Sequence, residues 1–383
     1  ALFETISGFT TTGASVLNNV EALSHCSLFW RSFTHWVGGM GVLVFLLAVI
    51  PLSGGSHINL MRAESPGPSV GKLVPKIRKT SMILYKIYIF MTIVMVVLLL
   101  LGKLPLFDSL LLAFGTAGTG GFSILNSGCA SYSPYIQYLI AIFMILFGVN
   151  FNVYYFILIK KFKDAIHYEE LKYYLLFIGA SVAMITYNIH SLFPTIEQAF
   201  RHALFQVGTV ITTTGYASTD FNKWPEFSKC IIVLLMFIGA CAGSTGGGIK
   251  VSRFIIACKS FIKEIISYLH PRSVKKIKIE GKPLEHETLR ATNVYFMTYM
   301  VIFAVSVLLV SIENKDLVTN FAAVAATFNN IGPGLSLVGP MANFGHFTDF
   351  TKYILMFDML AGRLEIFPMM LLFCPAVWKR RRA

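Results

Sequence analysis

The sequence predicts an all-α membrane protein made of four tandem repeats around one pseudo-four-fold pore. Three observations lead to this fold class. First, 55% of the 383 residues are hydrophobic and only 13% are charged, whereas a soluble domain has about 25% charged residues. Second, apolar runs long enough to cross a bilayer recur along the chain. Third, four shorter apolar runs each end in a turn rich in glycine, threonine or asparagine.

The longer apolar runs predict seven membrane spans, because about 20 residues of helix cross a hydrocarbon core roughly 30 Å thick. They cover approximately residues 29–50, 82–101, 135–159, 173–193, 228–266 with an interruption, 291–311 and 351–377. The four shorter runs cover residues 1–9, 106–115, 196–210 and 318–328. A helix this short enters the membrane and stops, which requires protein or a water-filled cavity around its end.

The turns that end the four short runs are similar to one another. Their last glycines are Gly13, Gly120, Gly215 and Gly332, spaced by 107, 95 and 117 residues. This spacing predicts repeats that each contain a span, a half-helix, a Gly-rich turn and a second span. We expect repeat 1 at residues 1–60, repeat 2 at 61–172, repeat 3 at 173–289 and repeat 4 at 290–383. Repeat 1 has no first span here, so we expect further residues upstream of Ala1.

Lysine and arginine are distributed unevenly between the two predicted sides of the membrane. Of the 32 basic residues, 24 lie in the segments that join the repeats or at the adjoining helix ends, and seven lie on the side of the turns. Because basic loops stay in the cytoplasm, we expect the joining segments there and the turns facing outward. The protein is expected to lie in membrane lipid with a solvated cytoplasmic face. This face explains the net charge of +13 without a nucleic-acid partner.

Motifs of other function classes are absent from the sequence. The six cysteines are scattered without a CxxC pair, which argues against a zinc site or a disulfide framework. The sequence contains no HExxH and no phosphate-binding loop. We therefore expect neither enzyme activity nor a cofactor, and a membrane-embedded enzyme or scaffold is the less favoured alternative. We interpret four ionisable residues of the outer half as helix-end or packing groups: Glu4, His190, Glu197 and His202.

The composition of the turns suits a monovalent cation. Glycine allows positive φ, so successive carbonyl groups can point the same way, and threonine adds a hydroxyl oxygen. Oxygen rings of this kind replace the water that a cation loses, and the C-terminal dipoles of the half-helices favour positive charge. No carboxylate lies in the turns. The predicted cation ligands are Thr11, Thr12, Gly13, Gly118, Thr119, Gly120, Thr213, Thr214, Gly215, Asn330, Ile331 and Gly332.

The sequence Thr212–Tyr216 is similar to the filter signature of potassium channels. The set of four turns, with Asn329–Gly334 as the last, resembles the Trk/Ktr/HKT superfamily of potassium transporters, and Trp36–Gly41 and Arg62–Pro68 are similar to its TrkH branch. The resemblance covers essentially the whole chain. It implies K+ uptake through a selective four-repeat pore in the bacterial cytoplasmic (inner) membrane. It also implies a homodimer and a cytosolic, TrkA-like, nucleotide-binding regulatory subunit.

The turns also bear on ion selectivity. None of them reads Thr-Val-Gly-Tyr-Gly, so we expect fewer well-formed cation sites than in a potassium channel. In HKT relatives, serine at the position of Gly13 accompanies a sodium preference. All four positions are glycine here, which favours potassium. A sodium-permeable or cation-symporting member of the same superfamily is the alternative.

Two features predict a gate below the turns. The fifth span is interrupted at residues 239–248, where the glycines disfavour helix by roughly 1 kcal/mol each. We expect an intramembrane loop that obstructs the pore, the alternative being a kink for packing, and its gating residues are Gly243, Ser244, Thr245, Gly246, Gly247 and Gly248. Arg363 lies inside the last span, where a charged residue is costly. Either it faces the pore and raises the barrier to cations, or it pairs with Asp358 or Glu365.

Overall fold

The computed structural model describes residues 1–41, 77–270, 276–364 and 366–375. Most of these residues are helical, which confirms the all-α prediction. The helices are α1 Leu2–Phe9, α2 His25–Met40, α3 Ile77–Leu101, α4 Leu106–Ala117, α5 Pro134–Phe147, α6 Phe151–Leu158, α7 Phe162–Ile166, α8 Glu169–Ile189, α9 Ile196–Ile211, α10 Glu226–Ile238, α11 Val251–Leu269, α12 His286–Val310, α13 Leu317–Phe328, α14 Asp349–Arg363 and α15 Ile366–Leu371. Two-residue strands, β1 Lys278–Ile279 and β2 Lys282–Pro283, pair antiparallel.

Three of the described helical segments are long and apolar enough to cross a membrane: Met82–Leu101, Glu169–Leu192 and His286–Glu313. The pair Pro134–Phe147 and Phe151–Leu158 meets the same criteria together but is bent by 89°. Several predicted features lie outside the described residues: the end of the first span, the Arg62–Pro68 motif, Lys275 and Glu365. The helices α8 and α12 begin a few residues before the predicted starts of repeats 3 and 4.

The four short apolar runs form the helices α1, α4, α9 and α13, which contain 8, 12, 16 and 12 residues. Side-chain caps start two of them. The Thr195 hydroxyl accepts from the Gln198 N–H, and the Asp316 carboxylate accepts from the Thr319 hydroxyl and N–H. These hydrogen bonds lower the pKa of Asp316, because they stabilise its charged form. Asp316 therefore satisfies one backbone donor at the beginning of α13.

The short helices pack in a cyclic order. Each contacts a span of its own predicted repeat, as α1 does with α2 and α13 with α12. Each also contacts the second span of the preceding repeat: α4 packs on α2, α9 on α5, α13 on α10 and α1 on α14. The last contact joins the two ends of the described chain. The four short helices therefore lie around one centre, and α13 is buried from Ala322 to Phe328.

Two predicted spans are broken at places where we predicted continuous helix. The span at 135–159 ends its first helix at Phe147 and bends before Phe151. Backbone groups freed by this bend pair with a distant segment: the Phe151 N–H donates to the Gly243 carbonyl, and the Gly148 carbonyl accepts from the Cys241 N–H. The last span stops at Arg363, after which Leu364 is extended. In contrast, the interruption of the fifth span appears as expected, between α10 and α11.

Candidate cation site and the loop beneath it

The four short helices end in the same hydrogen-bonded turn. A left-handed residue follows each helix cap, and it is Thr11, Thr119, Thr213 or Asn330, with φ of 54°, 53°, 57° and 54°. Its N–H and the next N–H return to carbonyls of the last helical turn, as in Thr11 to Gly8 and Thr12 to Ser7. This is the Schellman arrangement, which usually places glycine at the left-handed position. Four non-glycine residues therefore adopt a conformation that side chains disfavour.

A glycine with positive φ follows two residues later in every turn. These glycines are Gly13, Gly121, Gly215 and Gly332, with φ of 77°, 76°, 86° and 91°. The second turn is thus one residue out of the predicted register. Gly121 takes the place that we assigned to Gly120, and Gly118 is the cap of α4 instead of a member of the turn. Three glycines lie among four residues there, so composition alone does not set the register.

The four glycines stand against carbonyl oxygens of the next turn in cyclic order. A Cβ atom on Gly13 would lie 2.0 Å from the Gly120 oxygen, and one on Gly121 would lie 1.9 Å from the Thr214 oxygen. The corresponding distances are 2.1 Å from Gly215 to Ile331 and 2.7 Å from Gly332 to Thr12. No side chain fits into such gaps. We call this closed set of glycines and carbonyls the filter ring: Thr12, Gly13, Gly120, Gly121, Thr214, Gly215, Ile331 and Gly332.

Side chains behind the filter ring differ between the turns. In the first and third turns, hydroxyl pairs support the backbone, with Thr10 Oγ1 2.8 Å from Thr12 Oγ1 and Thr212 Oγ1 2.7 Å from Thr214 Oγ1. In the second turn, Gly118 and Gly120 replace both threonines of this pair. The His35 ring fills this space, because a Cβ on Gly120 would lie 2.2 Å from its Cγ.

Hydrogen bonds fix His35 in this position. Its Nδ1 lies 2.9 Å from the Gly8 carbonyl oxygen, and its Nε2 accepts from the Phe122 N–H at 3.3 Å. The fourth turn is supported by Asn330, whose Nδ2 donates to Thr12 Oγ1 at 2.9 Å and to the Met359 carbonyl at 2.8 Å. Thus His35 joins the first turn to the second, and Asn330 joins the fourth to the first.

The segment between α10 and α11, residues 239–250, lies against the left-handed residues, and we call it the Gly-rich loop. Its Gly247 N–H donates to Thr213 Oγ1 at 2.6 Å, and its Thr245 carbonyl accepts from Thr119 Oγ1 at 3.0 Å. A Cβ on Gly246 would lie 2.9 Å from the Thr212 oxygen, and one on Gly247 would lie 2.8 Å from Asn330 Cβ. Glycine therefore allows the loop backbone to touch the turns.

Arg363 brings three segments together beside this loop. Its guanidinium donates to the Thr245 carbonyl at 2.8 Å, and to the carbonyls of Gly38 and Gly39 at 2.6 and 2.9 Å. The predicted alternative partner Asp358 is buried and accepts from Ser306 Oγ at 2.7 Å. The other alternative, Glu365, lies outside the described residues. In this arrangement Arg363 links the Gly-rich loop to the end of α2.

Two buried charged residues hold the ends of the Gly-rich loop. Glu170 accepts from the Ala242 N–H at 2.7 Å and from the Ser252 N–H at 3.0 Å, so one carboxylate binds both sides of the helix break. The fully buried Lys250 ammonium donates to the Gly246 carbonyl. Lys250 and Arg253 are two of the 24 basic residues that we expected on a solvated cytoplasmic face, and for these two the expectation is wrong because both are buried. The Arg253 guanidinium stacks 3.8 Å from the centre of the Tyr295 ring.

Comparison with known proteins identifies the family. The TrkH family model, described as a cation transport protein, matches residues 1–380. This chain belongs to the TrkH family. It is 35% identical to the Trk system potassium uptake protein TrkH of Salmonella typhimurium, over 99% of this chain and 79% of that protein. Identity to the Trk system potassium uptake protein TrkG of Escherichia coli K12 is 33%, again over 99% of this chain and 79% of the relative.

A solved member of the TrkH family has the same fold. The crystal structure of the potassium transporter TrkH from Vibrio parahaemolyticus superposes with a TM-score of 0.84 at 32% sequence identity. The match covers 98% of this chain and 78% of that one. The resemblance inferred from the turns is thereby confirmed. The chain is a multi-pass membrane protein of a family of transporters, not of enzymes.

Sequence reasoning missed several residues of this TrkH-family site. His35 had a usable signal, since an ionisable residue in the middle of a predicted span is costly unless it has a specific role. Lys250 had the same signal, because it lies inside the predicted span 228–266, just after its interruption. Glu170 had none, because it lies just before a predicted apolar run, where charged residues are ordinary. Their importance comes from burial and from contacts with a segment far along the chain or beyond a helix break.

Proposed function

We propose that this chain conducts potassium ions across the membrane through a pore at the centre of the filter ring. The cyclic contact of four glycines with four carbonyls carries this proposal, because a closed circle of backbone carbonyls can line one pore with oxygen. Such oxygen can replace the hydration shell of a monovalent cation. Relatives that align over almost the whole chain are named potassium uptake proteins. These relatives are bacterial proteins, which supports the cytoplasmic (inner) membrane as the location.

The proposed ion ligands follow the observed register of the turns. They are Thr11, Thr12 and Gly13, then Thr119, Gly120 and Gly121, then Thr213, Thr214 and Gly215, then Asn330, Ile331 and Gly332. Four half-helices end at these residues, so the negative ends of their dipoles favour a cation nearby. Glycine at all four ring positions favours potassium over the sodium-permeable alternative.

We further propose that the Gly-rich loop and Arg363 form the closed gate of this pore. The contacts between Thr245, Thr119 and Arg363 support this, because they place a peptide segment and a positive charge beside the start of the turns. A guanidinium about 6 Å from a potassium ion costs about 3 kcal/mol at an effective dielectric near 20. Movement of the loop would then lower both parts of the barrier together.

Regulation is proposed to come from a second protein on the cytoplasmic face. Relatives named as Trk system proteins support a TrkA-like subunit. We also propose that the chain forms a homodimer. The hairpin of β1 and β2 offers a fixed basic surface. The Lys278 carbonyl accepts from Lys259 Nζ at 2.7 Å, and the Glu280 carboxylate accepts from the Glu169 N–H at 2.7 Å. Docking at this hairpin would place the partner next to α8 and α11.

Ion flux in reconstituted liposomes tests the proposed function. We expect potassium uptake that responds to membrane potential, with a reversal potential that follows the potassium gradient more closely than the sodium gradient. Equal permeability would support the sodium-permeable alternative, and dependence on a proton or sodium gradient would support a symporter. The absence of flux in all gradients, with folded protein recovered from the liposomes, would contradict a transport function.

A further inference from the structure

We propose that the buried ion pair of Glu4 and Arg31 sets the affinity for potassium at the filter ring by holding the first turn and cancelling charge beside it. This inference rests on the proposed function. Glu4 lies in α1 and Arg31 in α2, and the shortest distance between Arg31 Nη2 and Glu4 Oε2 is 3.2 Å. Their side chains are only 9% exposed for Arg31 and 13% for Glu4.

The pair is bonded directly to the chain that follows Gly13. Glu4 Oε1 accepts from Ser15 Oγ at 2.8 Å and from the Val16 N–H at 2.7 Å. Arg31 Nη2 also donates to Ser15 Oγ at 3.3 Å. Hydrogen bonds to ionised groups are roughly twice as strong as neutral ones. Glu4 and Arg31 are therefore positioning residues that fix the backbone just after the filter ring.

Arg31 also contacts the second turn. Its guanidinium carbon lies 4.0 Å from the centre of the Phe122 ring, and Phe122 directly follows Gly121. A cavity adjoins the filter ring here, and its lining includes Arg31 together with all four ring glycines. Among the described residues, Glu4 is the carboxylate within ion-pair distance of Arg31. Without Glu4, a positive charge would stand unneutralised where a cation enters or leaves.

The other three turns have no acidic residue at the position of Glu4. The residues that correspond to Glu4, nine positions before each ring glycine, are Leu112, Gln206 and Ala323. Gln206 holds its own turn with a neutral bond, its Nε2 donating to the Thr219 carbonyl at 3.2 Å. A turn of this kind therefore forms without a charged pair behind it. A charged pair at this position of the first turn, where the other turns have uncharged residues, thus points to an effect of charge on the ion.

Four variants separate charge from folding: Glu4→Gln, Arg31→Gln, the double variant and Arg31→Lys. Rubidium and potassium uptake into liposomes gives the half-saturating concentration and the maximal rate, and sodium competition gives selectivity. We expect Glu4→Gln to raise the half-saturating potassium concentration roughly fivefold to tenfold, as an unpaired charge near an ion does at intermediate dielectric. Arg31→Gln should lower that concentration, and Arg31→Lys should leave it within about twofold, since the charge is kept.

The double variant decides between charge and structure. Restored neutrality should return the half-saturating concentration toward the wild-type value, while the lost bonds to Ser15 reduce the preference for potassium over sodium. The matched control is Glu197→Gln, which breaks the 3.5 Å pair with Arg201 in α9. This variant should change neither the half-saturating potassium concentration nor the preference for potassium over sodium. If Glu4→Gln does not fold, Arg31→Gln and the double variant still give different predictions: a lowered half-saturating potassium concentration for the first and a value near wild type for the second.

Three results would overturn the inference. One is unchanged affinity in Glu4→Gln that is folded. Another is a shift in the same direction for both single variants, which would show a structural role only. The third is a double variant that is no closer to wild type than Glu4→Gln. Each of these requires wild-type protein that takes up potassium selectively. A wild type without selective uptake would instead overturn the proposed function, and this inference with it.

Discussion

The filter ring and the Gly-rich loop touch each other but are held in opposite ways. The ring repeats one backbone arrangement four times, and each glycine is enclosed by the carbonyl of the next turn. The loop occurs once and depends on a few polar side chains, including Glu170, Lys250 and Arg363. A structure fixed by repeated backbone contacts is hard to displace, whereas a few side chains can be released together. The ring thus suits selection of an ion, and the loop suits control of its rate.

The largest effect should come from removing the charge that holds the loop. Arg363→Ala, or deletion of Gly243–Gly247, should raise potassium flux without a partner by roughly a hundredfold, equal to about 3 kcal/mol of barrier. The preference for potassium should stay unchanged. Flux and reversal potential in liposomes measure both quantities.

The combination of the two changes sharpens this test. If both act on one barrier, their joint effect should be smaller than the product of the single effects. Arg253→Ala is the matched control, because it removes a buried arginine that stacks on Tyr295 beyond the loop. Loss of folded protein in Arg363→Ala, with normal recovery of Arg253→Ala, would favour the ion-pair interpretation of Arg363 instead.

A change in the filter ring should instead alter the selectivity between potassium and sodium. Gly215→Ser places a Cβ 2.1 Å from the Ile331 oxygen at a φ of 86°, so the turn must shift. We expect the preference for potassium over sodium to fall about tenfold, as misplaced carbonyls give a poorer oxygen cage. Competition between sodium and rubidium uptake measures it. Gly179→Ser is the control, because a Cβ at Gly179 meets no atom within 4 Å. Unchanged selectivity would remove the third turn from the filter.

A smaller effect is expected at the anchor of the loop. Glu170→Gln keeps an acceptor oxygen for the Ala242 and Ser252 N–H groups but loses the charge, which weakens such bonds by about 1 kcal/mol. Flux without a partner should rise several-fold, with selectivity unchanged. Glu169→Gln is the control, since Glu169 pairs with Lys259 and does not hold the loop. Equal flux in the two variants would show that Glu170 does not restrain the gate.

The least effect on the pore itself should follow from changes at the cytoplasmic hairpin. Charge reversal at Lys275, Lys276 and Lys278 should reduce co-purification of a TrkA-like partner. Flux without that partner should stay within about twofold, because Lys276 and Lys278, the two described lysines of this set, are exposed, and exposed charges contribute little to folding. Reversal at Lys223, which is 83% exposed and lies after the third turn, is the control. Undiminished co-purification would place the docking surface elsewhere.

The sequence was sufficient for the helices and for the presence of four turns, because apolar length and Gly-rich ends are local properties. It was insufficient for the register of the second turn, where Gly118, Gly120 and Gly121 are equally able to adopt unusual backbone angles. The bend at residues 148–150 is stabilised by Cys241 and Gly243, almost a hundred positions later, so no local pattern marks it. Burial of Lys250 follows likewise from tertiary contacts.

Closure of the filter ring also sets a condition on biosynthesis. The contact that completes it is between the fourth turn and the first, where Asn330 bonds to Thr12 across 318 positions of sequence. A ribosome makes the first turn long before the last, and the first three turns leave one side of the circle open until then. A nascent chain that lacks the fourth turn therefore has an open filter ring. If the ring conducts ions as proposed, no ion can pass through it until the fourth turn has been made and has closed on the first.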